Sequence, residues 1–92
     1  MVNALLIDEK DDVIVAIEEI KKDSLVYYST KGKIQSLTAK DDITIYHKIA
    51  LRDIKAGTAI TKYGEHIGVA SKDIIKGMHV HEHNVDSVRE EL

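Results

Sequence analysis

A short motif occurs twice in the C-terminal half of the chain, and it restricts the folds that the chain can adopt. IALRDIKAGTAI (residues 49–60) aligns with VASKDIIKGMHV (residues 69–80) at a constant offset of about twenty positions. Each copy consists of an apolar segment, a polar turn that ends in Gly, and a second apolar segment. The identical pairs are Ala50 and Ala70, Asp53 and Asp73, Ile54 and Ile74, and Gly57 and Gly77. A duplicated strand–turn–strand unit predicts a β domain with internal pseudo-symmetry.

A weaker third copy lies earlier in the chain, in VAIEEIKKDSLV (residues 15–26). By themselves, residues 13–20 are compatible with either a buried strand or a short helix. The alignment with the other copies favours strand, turn and strand. Asp23 stands at the position of the turn Gly, and Asp tolerates left-handed backbone better than most residues. We therefore predict that Asp23 replaces the Gly in this first turn.

The remaining segments also favour short strands that are joined by turns. We predict strands over residues 4–7, 25–30, 34–38 and 43–47. In the last of these, the alternation of a strand would place Ile43, Ile45 and His47 on one face. The C-terminal residues 86–92 are compatible with a frayed helix or with a disordered tail.

The organisation that follows is one mostly-β domain of about eight short strands, with few or no long helices. The chain has 92 residues, which suffice for one domain. It has no Phe and no Trp, so the core must consist of Ile, Val, Leu and Ala, and β-branched residues favour strands. We divide the domain into N-terminal strands with the weak copy, the duplicated motif and a tail: residues 1–46, 47–85 and 86–92.

Charge and composition argue against several classes of protein. The net charge is −3, and Lys and Arg are spread along the chain, which argues against binding to nucleic acid or to an anionic membrane surface. The chain contains no Cys, so it has neither disulfides nor a thiol nucleophile. We find neither a signal-peptide pattern nor an apolar run long enough to span a membrane. A cytoplasmic location is the expectation.

The segment HVHEH places three His residues at alternate positions: His79, His81 and His83. In an extended strand they would share one face, and three His with an open position are typical of a catalytic zinc site. Mn²⁺ and Fe²⁺ sites more often combine His with carboxylate, and Glu82 would lie on the opposite face. The alternatives are three solvated His residues on an edge strand, or a surface that contacts another subunit.

Two further segments carry polar groups beside the repeat. The pair His47-Lys48 precedes the first strong copy, and KYGE (residues 62–65) lies between the two copies. A Lys and a His close to an anionic substrate can bind its carboxylate and transfer protons. In KYGE, Lys62 is a cation for a carboxylate and Glu65 is a candidate base or metal ligand. The alternatives are a solvated strand end and an ordinary hairpin turn.

Taken together, these motifs resemble the SAF (β-clip) domain found at the N-terminus of proteins of the altronate/galactarate dehydratase family. In that family the domain also occurs as a separate small subunit, in altronate dehydratases and in sulfolactate sulfo-lyase. The family pattern is an HK pair, A-L-x-D-I, a Gly, [RK]YGE, I-G, a second A-x-x-D-I-x-x-G, and often H-V-H-x-H-N. The resemblance covers almost all of residues 13–85, with a departure at Asp23, where the family usually has Gly.

The resemblance implies a β-clip fold and a part in lyase chemistry. Water would be eliminated from a sugar acid, or sulfite from sulfolactate, with a divalent metal such as Fe²⁺ or Mn²⁺ in the assembled enzyme. Single-chain members continue into a much larger catalytic region, whereas this sequence stops at Leu92. We therefore expect a non-autonomous small subunit whose partner is a large catalytic subunit.

On this hypothesis we assign roles to three groups of residues. They are His47, Tyr63 and Glu65 as catalytic residues, Lys48, Lys62 and Gly64 as substrate-binding residues, and His79, His81 and His83 as metal ligands or as the contact to the large subunit. Two alternatives stay open: a stand-alone module that binds metal or a sugar acid, and a structural domain that forms homo-oligomers through exposed strand edges. An isolated enzyme is the least favoured, because so short a chain has little room for a deep substrate pocket.

Overall fold

The computed structural model describes residues 1–86, and in this range the protein consists of strands and turns without a helix. Accordingly, none of its described segments is a helix that is long and apolar enough to cross a membrane. The strands are β1 (Ala4–Leu5), β2 (Val13–Ala16), β3 (Leu25–Thr30), β4 (Lys33–Thr38), β5 (Lys48–Ala50), β6 (Ala59–Lys62), β7 (Glu65–Ala70), β8 (His79–Val80) and β9 (Val85–Asp86). The mostly-β prediction is confirmed.

The strands form three antiparallel sheets. The largest has the order β1-β2-β5-β8, a second consists of the β3–β4 hairpin, and the third has the order β6-β7-β9. In the four-stranded sheet, Ile14 of β2 lies opposite Ile49 of β5, and Ile49 lies opposite His79 of β8. β5 is therefore flanked by a strand from the start of the chain on one side and by β8 on the other.

Four copies of one turn motif connect these strands, one more than the sequence revealed. Each copy reads Ala-x-x-acid-Ile-x-x, followed by a residue with positive φ, and in each the Ala and the Ile are buried. We name them turn unit 1 (residues 16–23), turn unit 2 (residues 39–46), turn unit 3 (residues 50–57) and turn unit 4 (residues 70–77). Their last residues are Asp23, Tyr46, Gly57 and Gly77, with φ of 72°, 70°, 85° and 96°. The left-handed backbone predicted for Asp23 is confirmed.

The turn units associate in two pairs that use the same hydrogen bonds. The central Ile residues face each other, Ile20 with Ile43 and Ile54 with Ile74, and each pair exchanges both backbone N–H···O=C bonds. In all four units the last residue donates its N–H to the carbonyl of the first Ala of the paired unit. These donors and acceptors are Asp23 to Ala39, Tyr46 to Ala16, Gly57 to Ala70 and Gly77 to Ala50. Each unit therefore holds its partner's turn in place.

Acidic side chains in the turn units extend this network. Asp53 accepts a hydrogen bond from the N–H of Lys76 in turn unit 4, and Asp73 accepts one from the N–H of Ala56 in turn unit 3. The Asp of the repeated D-I pair is therefore a structural residue. It accepts a hydrogen bond from the backbone of the paired turn.

The predicted strand over residues 43–47 is wrong. Ile43 makes a single bridge with Ile20, the chain then turns, and β5 begins only at Lys48. The reason is Tyr46, which has positive φ and occupies the position that Gly holds in turn units 3 and 4. The first strand is also shorter than predicted, and β9 is additional. Most of the predicted tail lies outside the described residues.

Two clusters of buried apolar side chains form the core, one on each face of the four-stranded sheet. Val13 and Ile14 are neighbours in β2 but belong to different clusters, as do Ile49 and Ala50 in β5. This follows from the alternation of side chains along a strand. The cluster of Ile14 and Ile49 packs under the β3–β4 hairpin, and the cluster of Val13 and Ala50 packs under the β6–β7 hairpin. Both central strands are therefore buried on both faces.

Candidate functional site

Four of the five His residues gather where β5 and β8 pair. The rings of His47 and His81 are stacked with centroids 4.2 Å apart, and His79 lies 5.1 Å from His47 and 5.4 Å from His81. His83 flanks His79 at 5.2 Å with a tilted ring. The fifth, His66, is exposed on β7. The structure thus joins His47, which lies 32 positions earlier than His79 in the chain, to the HVHEH segment.

The segment after β8 turns sharply and does not continue as a strand. Asn84 is almost fully buried and binds backbone on both sides of the turn: its side chain accepts from the His81 N–H and donates to the His79 carbonyl. The prediction that His79, His81 and His83 follow one another along an extended strand is therefore wrong. Asn84 received no role from the sequence, although it ends the HVHEHN motif.

Burial and mutual repulsion lower the pKa of two of these imidazoles. The pKa of His79 is lowered by burial and by the neighbouring His residues, and Asp41 opposes the shift only in part. The pKa of His47 is lowered by burial, then by His81 and Lys48. Both shifts favour the neutral form of the ring. His47 Nδ1 lies 2.9 Å from His79 Nε2, so one ring can donate a hydrogen bond that the other accepts.

A groove of about 290 Å³ opens beside this cluster. Its lining consists of Lys48, Lys62, Ile67, His81, Glu82 and Val85. The two ammonium groups come from β5 and β6, which belong to different sheets. Burial lowers the pKa of Lys48, and the positive charge of Lys62 lowers it further. An anion between the two lysines would relieve this repulsion, so the groove is suited to a carboxylate.

The KYGE segment forms the tip of the β6–β7 hairpin. Tyr63 and Gly64 both have positive φ, 56° and 74°, which is the geometry of a type I′ turn. The Lys62 ammonium lies 4.5 Å from the centre of the Tyr63 ring. Tyr63 is 56% exposed, Glu65 is also exposed, and neither belongs to the lining of the groove. Of the residues in this segment, the structure brings only Lys62 next to Lys48 and His81.

Two acidic residues of the first charged turn hold this hairpin against the sheet. Asp11 is completely buried and accepts the Gly64 N–H at 3.0 Å, while Asp12 accepts the Thr61 N–H at 2.9 Å. Arg52 ties the two together, since it pairs with Asp12 and donates to the carbonyl of Asp11. Sequence reasoning identified only a charged turn here. These residues position Lys62.

The family follows from comparison with known sequences. The family model of the altronate/galactarate dehydratase SAF domain matches residues 2–88. This chain belongs to that family. The resemblance noted from the sequence is thereby confirmed, and the chain has the β-clip fold of the SAF domain.

Named relatives of this SAF domain fall into two groups. An altronate dehydratase of Bacillus subtilis is 41% identical over 85 residues, which cover 91% of this chain but 16% of the relative. The (2R)-sulfolactate sulfo-lyase subunit alpha of Paracoccus pantotrophus is 51% identical over 53 residues, 58% of this chain and 79% of the relative. The same subunit of Chromohalobacter salexigens is 30% identical over 88 residues, covering 91% of this chain and 94% of the relative. The chain spans a small part of the first relative and nearly all of the last.

The donor atoms of the SAF domain fit a divalent metal at the histidine cluster. Among residues 1–86, the ligand atoms of His47, His79 and His81 lie within 4.8 Å of one another. Imidazole nitrogen suits Zn²⁺, Fe²⁺, Co²⁺ and Ni²⁺. His83 is not part of this group. His47, which we expected to be a catalytic residue, belongs to it. The metal and catalytic roles themselves stay predictions.

Proposed function

We propose that this SAF domain is the small, non-autonomous component of a lyase that eliminates water from a sugar acid of the altronate or galactarate type. Membership of the family and the likeness to altronate dehydratase support the proposal. The observation that carries it is the groove that Lys48, Lys62 and His81 line together. The groove is open at the surface and does not enclose a substrate, so in this proposal a large catalytic subunit completes the site.

The lysines act on the substrate carboxylate. Elimination from a hydroxy acid requires a base that removes a carbon-bound proton, and positive groups that stabilise the enolate-like charge. Lys48 and Lys62 supply the positive charge from two directions, which also fixes the orientation of the carboxylate. His81 borders the groove, and the ring of His47 is stacked on it. The expected metal, Fe²⁺ or Mn²⁺, would supply a Lewis acid, and the histidine cluster is where this chain offers it ligands.

The tip of the β6–β7 hairpin has a different place in this proposal. Tyr63, Gly64 and Glu65 lie on the rim beyond the groove, and they reach the substrate only from there. We assign them contacts with the substrate or with the large subunit in the assembled enzyme. A cytoplasmic location stays a prediction.

A sulfolactate sulfo-lyase is the second candidate. The observation that favours it is the extent of the match to the C. salexigens subunit alpha, which covers nearly the whole of both chains. Sulfolactate is also a hydroxy acid with a carboxylate, so the lysine pair serves the same purpose, and the leaving group is sulfite. A binding module without catalysis and a homo-oligomeric structural domain are the remaining alternatives.

The experiment is a purification of the tagged full chain from its own cells, followed by identification of the proteins that accompany it by mass spectrometry. A stoichiometric large protein is expected, and the pair is then assayed with altronate, galactarate and sulfolactate in the presence of Fe²⁺ or Mn²⁺. Turnover of a sugar acid supports the first candidate, and release of sulfite supports the second. A pair without either activity contradicts both.

Substitution of the lysines tests the groove in the same assay. Lys48→Gln and Lys62→Gln each remove a charge-assisted contact, so kcat/KM is expected to fall by about 10- to 100-fold. Lys33→Gln is the matched control, because Lys33 is exposed on β4, away from the groove. Equal activities of the three variants would exclude the groove as the carboxylate site.

A further inference from the structure

We infer that His47, His79 and His81 form a divalent-metal centre that this chain assembles without a partner. The inference goes beyond the proposed function, because it concerns the isolated domain and holds for any of the candidate reactions. It also revises the ligand set suggested by the sequence, in which His83 was the third ligand.

The spacing of the nitrogens is close to what one metal ion requires. Two nitrogens bound to the same ion at about 2.1 Å lie about 3.0–3.4 Å apart, depending on the coordination geometry. His47 Nδ1 and His79 Nε2 are 2.9 Å apart, and the ligand atoms of all three residues lie within 4.8 Å. The three rings are stacked within 15° of one another, so their nitrogen lone pairs do not yet converge on one point. The side chains would rotate to bind one ion.

The backbone at each ligand is fixed before a metal arrives. His79 lies in β8 opposite Ile49, and its N–H donates to Asp41 Oδ2 at 2.9 Å. The buried Asn84 side chain accepts from the His81 N–H and donates to the His79 carbonyl. His47 is bound through its own carbonyl, which accepts from Ala16. Three separately anchored ligands pay less conformational entropy on binding than three flexible ones.

The donor set selects the class of metal. The group contains three imidazoles and no carboxylate, which suits Zn²⁺, Co²⁺, Ni²⁺ and Fe²⁺ and is poor for Mg²⁺ and Ca²⁺. Three protein ligands leave at least one position free, as in catalytic rather than structural sites. His81 also lines the groove of Lys48 and Lys62. A metal held by His81 would therefore lie beside the space where the lysines would hold an anion.

The test is a titration of the metal-free full chain with Co²⁺, Zn²⁺ and Mg²⁺, followed by calorimetry and by the visible absorption of Co²⁺. One Co²⁺ or Zn²⁺ per chain and no Mg²⁺ are expected. Loss of an outer-shell residue already weakens metal sites about 10- to 100-fold, so His47→Ala is expected to weaken Co²⁺ binding by more than about 100-fold. His81→Gln gives a second ligand variant, and circular dichroism shows whether each variant folds.

Two further variants separate this ligand set from its rivals. His66→Ala is the matched control, because His66 is exposed on β7 and lies in none of the stacked pairs, and its affinity is expected to be unchanged. His83→Ala is expected to weaken the affinity less than His47→Ala does, because His83 neighbours His79 but does not belong to the ligand group. Loss of binding in His83→Ala with retention in folded His47→Ala would overturn the assignment. So would the absence of a stoichiometric site in the unmodified chain, whatever the lyase assay shows.

Discussion

The two halves of this SAF domain share one backbone plan and differ in what they present to solvent. The first half runs from β2 through turn unit 1 and the β3–β4 hairpin to turn unit 2, and the second runs from β5 through turn unit 3 and the β6–β7 hairpin to turn unit 4. Even the hairpin turns agree, since Lys31 and Gly32 have positive φ as Tyr63 and Gly64 do. The halves are therefore structural equivalents despite their different sequences.

The candidate site lies where β5, the first strand of the second half, pairs with β8, the strand that follows this half. β5 follows turn unit 2, β8 follows turn unit 4, and their pairing brings His47 next to His79. The residue at the end of β6 is Lys62, whereas its counterpart before the first hairpin turn is Thr30. The two halves share the backbone of the strands and turns. The candidate site depends on side chains, such as Lys62, that only one half has.

The largest effect is expected from a methyl group at the end of turn unit 4. A Cβ at Gly77 would lie 2.3 Å from the carbonyl oxygen of Thr38, and φ is 96°. Gly77→Ala combines left-handed strain with overpacking, and we expect it to cost about 3–5 kcal/mol of unfolding free energy. Gly57→Ala has the same strain but no atom within 4 Å, and about 1–2 kcal/mol is expected.

Urea unfolding followed by circular dichroism measures both losses. Comparison of Gly77→Ala with Gly57→Ala tests whether turn units 3 and 4 are equivalent in packing as well as in hydrogen bonding. Equal losses of unfolding free energy in the two variants would mean that the Thr38 backbone moves away from the new methyl group at little cost. Turn units 3 and 4 would then be equivalent in packing.

The second effect concerns Asp11, one of the two acidic residues that hold the β6–β7 hairpin against the sheet. Asp11 is buried and accepts the N–H groups of Gly64 and Asp8. Asp11→Ala leaves both donors without this partner, and because hydrogen bonds to charged groups contribute about 1.5–3 kcal/mol, we expect a loss of about 2–3 kcal/mol. The amide hydrogens of Gly64 and Thr61 should exchange faster, whereas that of Tyr28 in the other hairpin should not.

Asp11→Asn is the control for this prediction. The amide keeps one acceptor oxygen, so it should retain part of the stability and slow exchange at one of the two donors. Equal acceleration of exchange in both hairpins would mean that Asp11 stabilises the whole domain. It would refute a specific role of Asp11 in positioning Lys62 on the β6–β7 hairpin.

The sequence revealed three of the four turn units, and the reason for the omission is physical. Gly57 and Gly77 are recognisable because left-handed backbone favours Gly, and Asp23 is tolerated there. Tyr46 is an unfavourable residue for this conformation, so the search for turn residues passed over it. In the structure its N–H donates to the Ala16 carbonyl, as in every other unit, and this tertiary bond outweighs the local preference.

The candidate site shows the same limit. The individual residues His47, Lys48, Lys62 and His81 were identifiable from their types and motifs. Which imidazoles meet depends on the pairing of β5 with β8, a contact between distant parts of the chain, and on the turn that Asn84 stabilises. The alternation of side chains along a strand does not reveal where the strand ends, so His83 was grouped with the ligands. His47 was not, because it joins them only through the pairing of β5 with β8.

The smallest effect tests whether Tyr46 is strained in its turn. Tyr46 has φ of 70° and is 71% exposed, so its side chain contributes little packing. Tyr46→Gly removes left-handed strain of about 1–2 kcal/mol and adds about 0.5–1 kcal/mol of chain entropy to the unfolded state. We expect a net gain of about 0.5 kcal/mol, visible as a higher urea midpoint. Tyr46→Ala loses the same ring but keeps a Cβ at positive φ, so no gain is expected. Equal urea midpoints for the two variants would show that the left-handed backbone at Tyr46 is not strained. Turn unit 2 would then not differ in strain from the Gly-ended units of the second half.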